Sequence, residues 1–74
     1  MAETTLDLQG LKCPLPALRT RKVLATLKSG DVVTVECTDP LASIDIPHLV
    51  EQSGDVIETQ ARRHDVLVFR IRKS

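Results

Sequence analysis

The order of the patterned segments constrains the fold of this chain more than any other feature. Segments typical of strands, alternating or rich in β-branched residues, cover residues 5–9, 32–37, 56–61 and 66–71. Segments typical of helices cover residues 14–29 and 45–53. The order β-α-β-α-β-β predicts an α/β (α+β) two-layer sandwich, with two helices on one face of a four-stranded mixed sheet. With 74 residues, the chain is expected to form a single domain over residues 1–74.

Local signals predict the two faces of the first helix and the ends of both helices. On a helical wheel, one face of the first helix carries Ala17, Thr20, Val23, Leu24 and Leu27, and the opposite face carries Arg19, Lys22 and Thr26. Gly30 and Gly54 are the expected stops of the two helices. Asp45 is expected to cap the second helix, and Pro47 to lie in its first turn. A short turn should follow Asp39, and residues 62–65 should form a hairpin turn.

The first two strands should be parallel, because strand–helix–strand crossovers are nearly always right-handed and join parallel strands. Their carboxyl ends then share one edge of the sheet, where both helices begin. Cys13 follows the first strand and Cys37 ends the second. Both thiols are therefore predicted at this edge.

Charge and composition exclude several function classes. Ten basic residues balance ten acidic ones, and Phe69 is the only aromatic residue, so direct binding to nucleic acid is not expected. The sequence contains no run of 18 apolar residues and no secretory signal, so neither a membrane span nor export is expected. Two cysteines in such a chain are typical of reduced thiols in a cytoplasmic protein. A monomer is expected.

The segment Cys13-Pro14-Leu15-Pro16 carries the most specific chemistry. Pro14 suits the first helical position, because its φ angle is preset and it has no N–H to leave unpaired. Cys13 would then occupy the cap position, where the free N–H groups and the helix dipole lower the pKa of a thiol. Pro16 stiffens the same turn. A lone cysteine is more often a small buried side chain, but cysteine is a poor cap, so its presence there favours a reactive thiolate.

Opposite charges are separated along the chain. Residues 11–30 contain five basic residues and no acid, whereas residues 31–58 contain seven acids and no Lys or Arg. A basic helix raises the thiolate fraction nearby and steers acidic partners. Candidate docking residues are Leu15, which falls on the polar side of the wheel, and Arg19, Arg21 and Lys22. On charge alone, a solvated helix face remains the simpler interpretation.

Cys37 has three open interpretations. It is a buried strand residue, which we favour, a resolving thiol for Cys13, or a second sulfur site. A zinc site that combines the two cysteines with His48 and His64 is not favoured, because no close Cys or His pair has ligand spacing. No metal is expected.

Nearly the whole chain, from about residue 6 to 73, resembles the TusA/SirA family of sulfur-carrier proteins. The signature motif is Cys13-Pro14-Leu15-Pro16 (CPxP), and residues 39–47 resemble the second motif of the family. Further matching positions are Leu6-Asp7, Gly10-Leu11, Gly30, Gly54 and Phe69-Arg70-Ile71. Cys37 is not part of this signature, and Leu15 falls at its variable position.

The resemblance implies a fold similar to the C-terminal domain of translation initiation factor three. It also implies that Cys13 accepts sulfane sulfur as a persulfide, with no cofactor, and relays it to an acceptor protein. The chain would be a persulfide transferase in the broad sense rather than a stand-alone enzyme. The implied donor is a cysteine desulfurase or rhodanese, and the implied acceptor is a DsrE/TusD-type or other sulfur-acceptor protein. Pathways implied are tRNA thiolation, cofactor biosynthesis and sulfur oxidation.

Two alternative functions remain open from the residues alone. One is a non-catalytic interaction or regulatory module that uses the basic helix 14–29. The other is a redox switch in which Cys13 and Cys37 form a disulfide, which requires Cα atoms within about 7 Å.

Overall fold

A computed structural model describes residues 3–12 and 14–74. The strands and helices are β1 (Glu3–Leu8), α1 (Leu15–Leu24), β2 (Val32–Cys37), α2 (Ala42–Ser53), β3 (Val56–Arg63) and β4 (Val66–Arg72). This order confirms the predicted β-α-β-α-β-β succession. Neither described helix combines the length and apolarity that a membrane crossing needs.

The four strands form one mixed sheet in the order β1-β2-β4-β3. β1 and β2 are parallel, as predicted, and their register ends with Leu8 beside Cys37. β4 is antiparallel to β2 and begins at the same end, since Cys37 pairs with Leu67. The carboxyl ends of β1 and β2, the starts of both helices and the β3–β4 turn therefore share one edge, which we call the site edge.

The hydrophobic core lies between the sheet and the two helices. Alternate residues of the central strands point inward, and Val33, Val35 and Phe69 are fully buried. The helices contribute Leu24 and Ile46 to the same cluster. Truncating Phe69 to alanine would cost about 3–5 kcal/mol in a core of this kind.

The predicted apolar face of α1 is confirmed. Thr20 and Leu24 are buried, whereas Arg19 and Lys22 are exposed. The Thr20 hydroxyl donates a 2.8 Å hydrogen bond to the carbonyl of Pro16, which satisfies its polar group inside the core.

The predicted length of α1 is wrong, because the helix ends at Leu24 and not near residue 29. Beyond Leu24 the amide of Leu27 bonds the carbonyl three residues back, and the amide of Lys28 bonds a carboxylate oxygen of Asp31 at 3.0 Å. Gly30 has φ +92° and donates to the carbonyl of Lys73 at 2.7 Å. These bonds take the place of further helical bonds, so Gly30 belongs to the turn before β2.

The second helix begins three residues before the predicted Asp45. Asp39 provides the start, because its carboxylate accepts the amide of Leu41 at 2.9 Å and its carbonyl accepts that of Ala42 at 3.0 Å. Pro47 consequently lies inside the helix and not in its first turn. Gly54, with φ +81°, ends the helix as predicted.

The hairpin is longer than its sequence pattern indicated. β3 and β4 extend to Arg63 and from Val66, so that the turn contains only His64 and Asp65. His64 adopts the left-handed region at φ +56°, as two-residue hairpin turns require.

Candidate functional site

The loop between β1 and α1 is anchored at the site edge. The amide of Gly10, at φ +84°, donates to Oγ1 of Thr38 at 2.9 Å, and the amide of Leu11 donates to the carbonyl of Leu8 at 3.2 Å. A residue with a Cβ atom would be strained at this φ. The chain leading to position 13 is thus tied to the residue that follows β2.

Cys13 itself lies outside the described residues. The prediction that position 13 is the cap of α1 is wrong, because Pro14 takes that place, whereas the exposure of Cys13 and its separation from Cys37 remain predictions. The neighbouring residues on both sides are described, and they define the setting of position 13.

The start of α1 differs by one residue from the prediction. Pro14 is the cap residue, at φ −97° and ψ 14°, and Leu15 is the first helical residue. The amide of Leu15 donates to the carbonyl of Lys12 at 2.8 Å, and that of Leu18 to the carbonyl of Pro14 at 3.1 Å. Pro16 lies buried in the first turn, where a residue without an N–H is tolerated.

Two open clefts flank position 13. The first, of about 480 Å³, is lined by residues 10–12 and 38–41. The second, of about 240 Å³, separates the two helices and includes Pro14, Leu18 and Asp45. Because Lys12 lines the first and Pro14 the second, a molecule that occupies either cleft lies beside position 13.

The basic side chains of α1 face solvent. Arg19, Arg21 and Lys22 are exposed and make no ion pair with another described residue. Two arginines of the sheet differ, since they are paired with carboxylates: Arg63 with Glu36, and Arg70 with both Glu3 and Glu58. The positive charge of these three side chains of α1 therefore remains available to a partner.

Cys37 is a fully buried strand residue, the interpretation that the sequence favoured. Burial, and secondarily the charge of Asp39, raises the pKa of its thiol from 9.0 to about 11. A thiol in this state is a poor nucleophile at neutral pH. Within the described residues, no group of three or more His, Cys, Asp or Glu side chains is arranged to hold a metal ion.

Leu15 is exposed, in agreement with its place on the polar side of the wheel. The sequence reasoning missed three further exposed apolar residues at the starts of the two helices, which are Leu18, Leu41 and Ile44. The wheel position of Leu18, beside Leu15, was a usable signal. Leu41 and Ile44 gave no such signal, because the second helix was expected to begin only at Asp45.

Comparison with known proteins gives consistent matches over nearly the whole chain. The profile of the family described as Sulfurtransferase TusA matches residues 4–73. The chain is similar to the sulfur carrier protein TusA of Allochromatium vinosum, with 38% identity over 69 residues, 93% of this chain and 91% of the relative. A candidate sulfur carrier protein of Neisseria meningitidis is 49% identical over 57 residues, 77% of each chain.

A solved structure shares the fold. The crystal structure of a SirA-like protein from Desulfitobacterium hafniense superimposes with a TM-score of 0.82 at 30% identity. The alignment covers 93% of this chain and 95% of the other. It supports the predicted two-layer sandwich of a four-stranded mixed sheet and two helices.

Proposed function

Because the chain belongs to the TusA family of sulfur carriers, we propose that it holds sulfane sulfur as a persulfide on Cys13. The family match over residues 4–73 is the observation that carries this proposal, since that range contains the Cys13-Pro14-Leu15-Pro16 motif. The state of Cys37 supports the choice of thiol, because a buried sulfur with a raised pKa is unsuited to exchange with a partner protein.

The proposed chemistry consists of two thiolate exchanges. The Cys13 thiolate attacks the outer sulfur of a donor persulfide, R–S–S–H. A new S–S bond forms, the donor S–S bond breaks, and the donor leaves as R–S⁻ while the proton remains on the transferred sulfur. An acceptor thiolate then attacks the outer sulfur of Cys13–S–S–H, and Cys13 leaves as a thiolate. Both steps need only accessible thiolates of matched reactivity, and no cofactor is proposed.

The start of α1 supports this role. The helix begins at Leu15, two positions after Cys13 along the chain, and the positive end of a helix dipole stabilises nearby anions. Pro14 and Pro16 set this start, so we propose that they are positioning residues for the thiol. The unpaired charges of Arg19, Arg21 and Lys22 add a positive field.

We propose that the donor is a cysteine desulfurase or rhodanese and the acceptor a DsrE/TusD-type or comparable protein. The chain would relay sulfur in the cytoplasm towards tRNA thiolation, cofactor biosynthesis or sulfur oxidation. It would act as one member of a transfer chain, and not as an enzyme with its own small-molecule substrate.

Mass spectrometry tests the proposal directly. The purified protein is incubated with a cysteine desulfurase and L-cysteine, and peptides are then examined for the addition of one sulfur atom, about 32 Da. We expect the added mass on the Cys13 peptide, its loss in Cys13→Ser and its retention in Cys37→Ala. An unmodified Cys13 after incubation with several donors, including a small-molecule persulfide, contradicts the proposal.

A non-catalytic interaction module is the second candidate, and the unpaired cations of α1 favour it. In that case Cys13→Ser would keep full function, whereas reversing the charge of Arg19, Arg21 or Lys22 would abolish it. The redox-switch alternative is less favoured, because the burial of Cys37 hinders disulfide exchange.

A further inference from the structure

Exposed apolar side chains gather at one end of the helical layer. Five large apolar residues are exposed within the described part of the chain, and four of them lie at the amino-terminal ends of α1 and α2. They are Leu15 (44% exposed), Leu18 (53%), Leu41 (53%) and Ile44 (66%). We call these four residues the apolar crest.

The crest lies on the outer side of both helices. In α1 the opposite side of the same turns is buried through Pro16 and Thr20, and in α2 through Ala42 and Ile46. The side chains of the crest therefore do not contribute to the core. Exposed apolar side chains that cluster in this way mark a surface for a partner.

Both clefts beside position 13 are bordered by the crest. Leu41 lines the cleft that includes Lys12, and Leu18 lines the groove between the helices that includes Pro14. Leu15 and Ile44 each lie three residues from one of these two, so each is its neighbour on the helix surface. A partner that covers the crest consequently also faces the two clefts that include Lys12 and Pro14, the neighbours of Cys13 in the chain.

The charges around the crest differ between the helices. On the α1 side, Arg19, Arg21 and Lys22 are exposed and make no ion pair with another described residue. The α2 segment contains no Lys or Arg. A matching partner therefore presents apolar side chains bordered by carboxylates where it faces α1.

We propose that the apolar crest is the docking surface for the protein that donates sulfur to Cys13, and that this donor carries a carboxylate-bordered apolar patch. The inference rests on the proposed function. Four side chains cover far less than the roughly 800 Å² per partner of a stable interface, which fits a brief encounter better than a permanent dimer.

The test compares two donors with one set of variants. The protein donor is a purified cysteine desulfurase that loads the wild-type chain, and the small donor is glutathione persulfide, which needs no docking surface. The double variant Leu41→Gln/Ile44→Gln changes the crest on α2, and Leu15→Gln/Leu18→Gln changes it on α1. Val56→Thr is the matched control, because Val56 is the fifth exposed apolar residue and lies on β3.

We expect the two crest variants to load about tenfold more slowly from the desulfurase, as loss of central interface contacts does, and at the wild-type rate from glutathione persulfide. The control should load normally from both. If the crest variants load from the desulfurase at the wild-type rate, the inference is overturned. It is also overturned if they load more slowly than the wild-type chain from both donors. If the wild-type chain forms a dimer that the crest variants do not form, and the loading rates are unchanged, the crest is a self-interface and the inference is overturned. If the wild-type protein accepts sulfur from neither donor, the proposed function itself fails.

Discussion

The amide of Gly10 and the hydroxyl of Thr38 are joined by a 2.9 Å hydrogen bond across the site edge. The two residues are 28 positions apart in the chain, so this bond connects the loop before position 13 to the end of β2. It links the loop that precedes the CPxP motif to the residue that follows β2.

Removing this bond should loosen the loop. We expect Thr38→Val to lower the free energy of unfolding by about 0.5–1.5 kcal/mol, the usual contribution of one hydrogen bond, and to slow persulfide formation on Cys13. Thr38→Ser keeps the hydroxyl and is the matched control. Chemical denaturation and the mass-spectrometric assay measure the two effects. Equal behaviour of Thr38→Val and the wild-type protein would show that the loop does not depend on the bond.

Cys37 should resist alkylation in the native protein. Its thiol is buried and has a pKa raised to about 11, so almost none of it is ionised to the thiolate at pH 8. We expect iodoacetamide to modify Cys37 only after denaturation, as measured by peptide mass spectrometry with Cys37→Ala as the blank. Fast modification of the native protein would contradict the burial of this side chain.

The same thiol gives a pH dependence of stability. The folded pKa of about 11 lies above the ordinary value of 9.0, so the folded state favours the protonated thiol. The contribution of this thiol to the free energy of unfolding is fully present below pH 9. It is lost as the pH rises towards 11, by at most about 1.4 kcal/mol per pH unit. The free energy of unfolding is measured against pH for the wild-type protein and for Cys37→Ala. The difference between the two removes the contribution of the lysines, which both proteins share. A difference that is constant from pH 8 to 11 would disprove it.

Charge reversal on α1 should weaken loading from a protein donor. We expect Arg21→Glu/Lys22→Glu to slow persulfide transfer from a cysteine desulfurase by about tenfold at low salt, and to flatten its salt dependence, because the lost charges steer an acidic partner. Arg72→Gln is the control, since Arg72 pairs with Glu58 on the outer face of the sheet. Unchanged rates at every ionic strength would assign α1 no steering role.

Asp55 should matter for stability but not for sulfur transfer. Its carboxylate, which is almost fully buried, accepts the Ser53 hydroxyl at 2.8 Å and the Ser74 amide at 3.1 Å. Asp55→Ala should cost about 1.5–3 kcal/mol, as for hydrogen bonds to a charged group. Glu51→Gln, at an exposed position of α2, is the control. Thermal unfolding measures the loss, and a matching loss of loading at a temperature where the variant is folded would refute the separation of the two roles.

Local pattern and chain order determined much of this protein before any coordinates. The residues of β2, the succession of elements and the inward face of α1 follow from alternation and helical periodicity, because each depends on neighbours a few positions away. The parallel pairing of β1 and β2 followed from the handedness of crossovers. The CPxP motif together with the second motif at residues 39–47 also identified the family from sequence alone.

The tertiary structure decided what depends on distant partners. α1 ends at Leu24, and beyond it the amide of Gly30 binds the carbonyl of Lys73, a partner 43 positions away that a helical wheel does not show. The apolar crest exists because parallel β1 and β2 place the starts of both helices at the same edge. Leu15 and Ile44, 29 positions apart, thus lie at the same edge through the pairing of the strands, a long-range arrangement that local pattern does not encode.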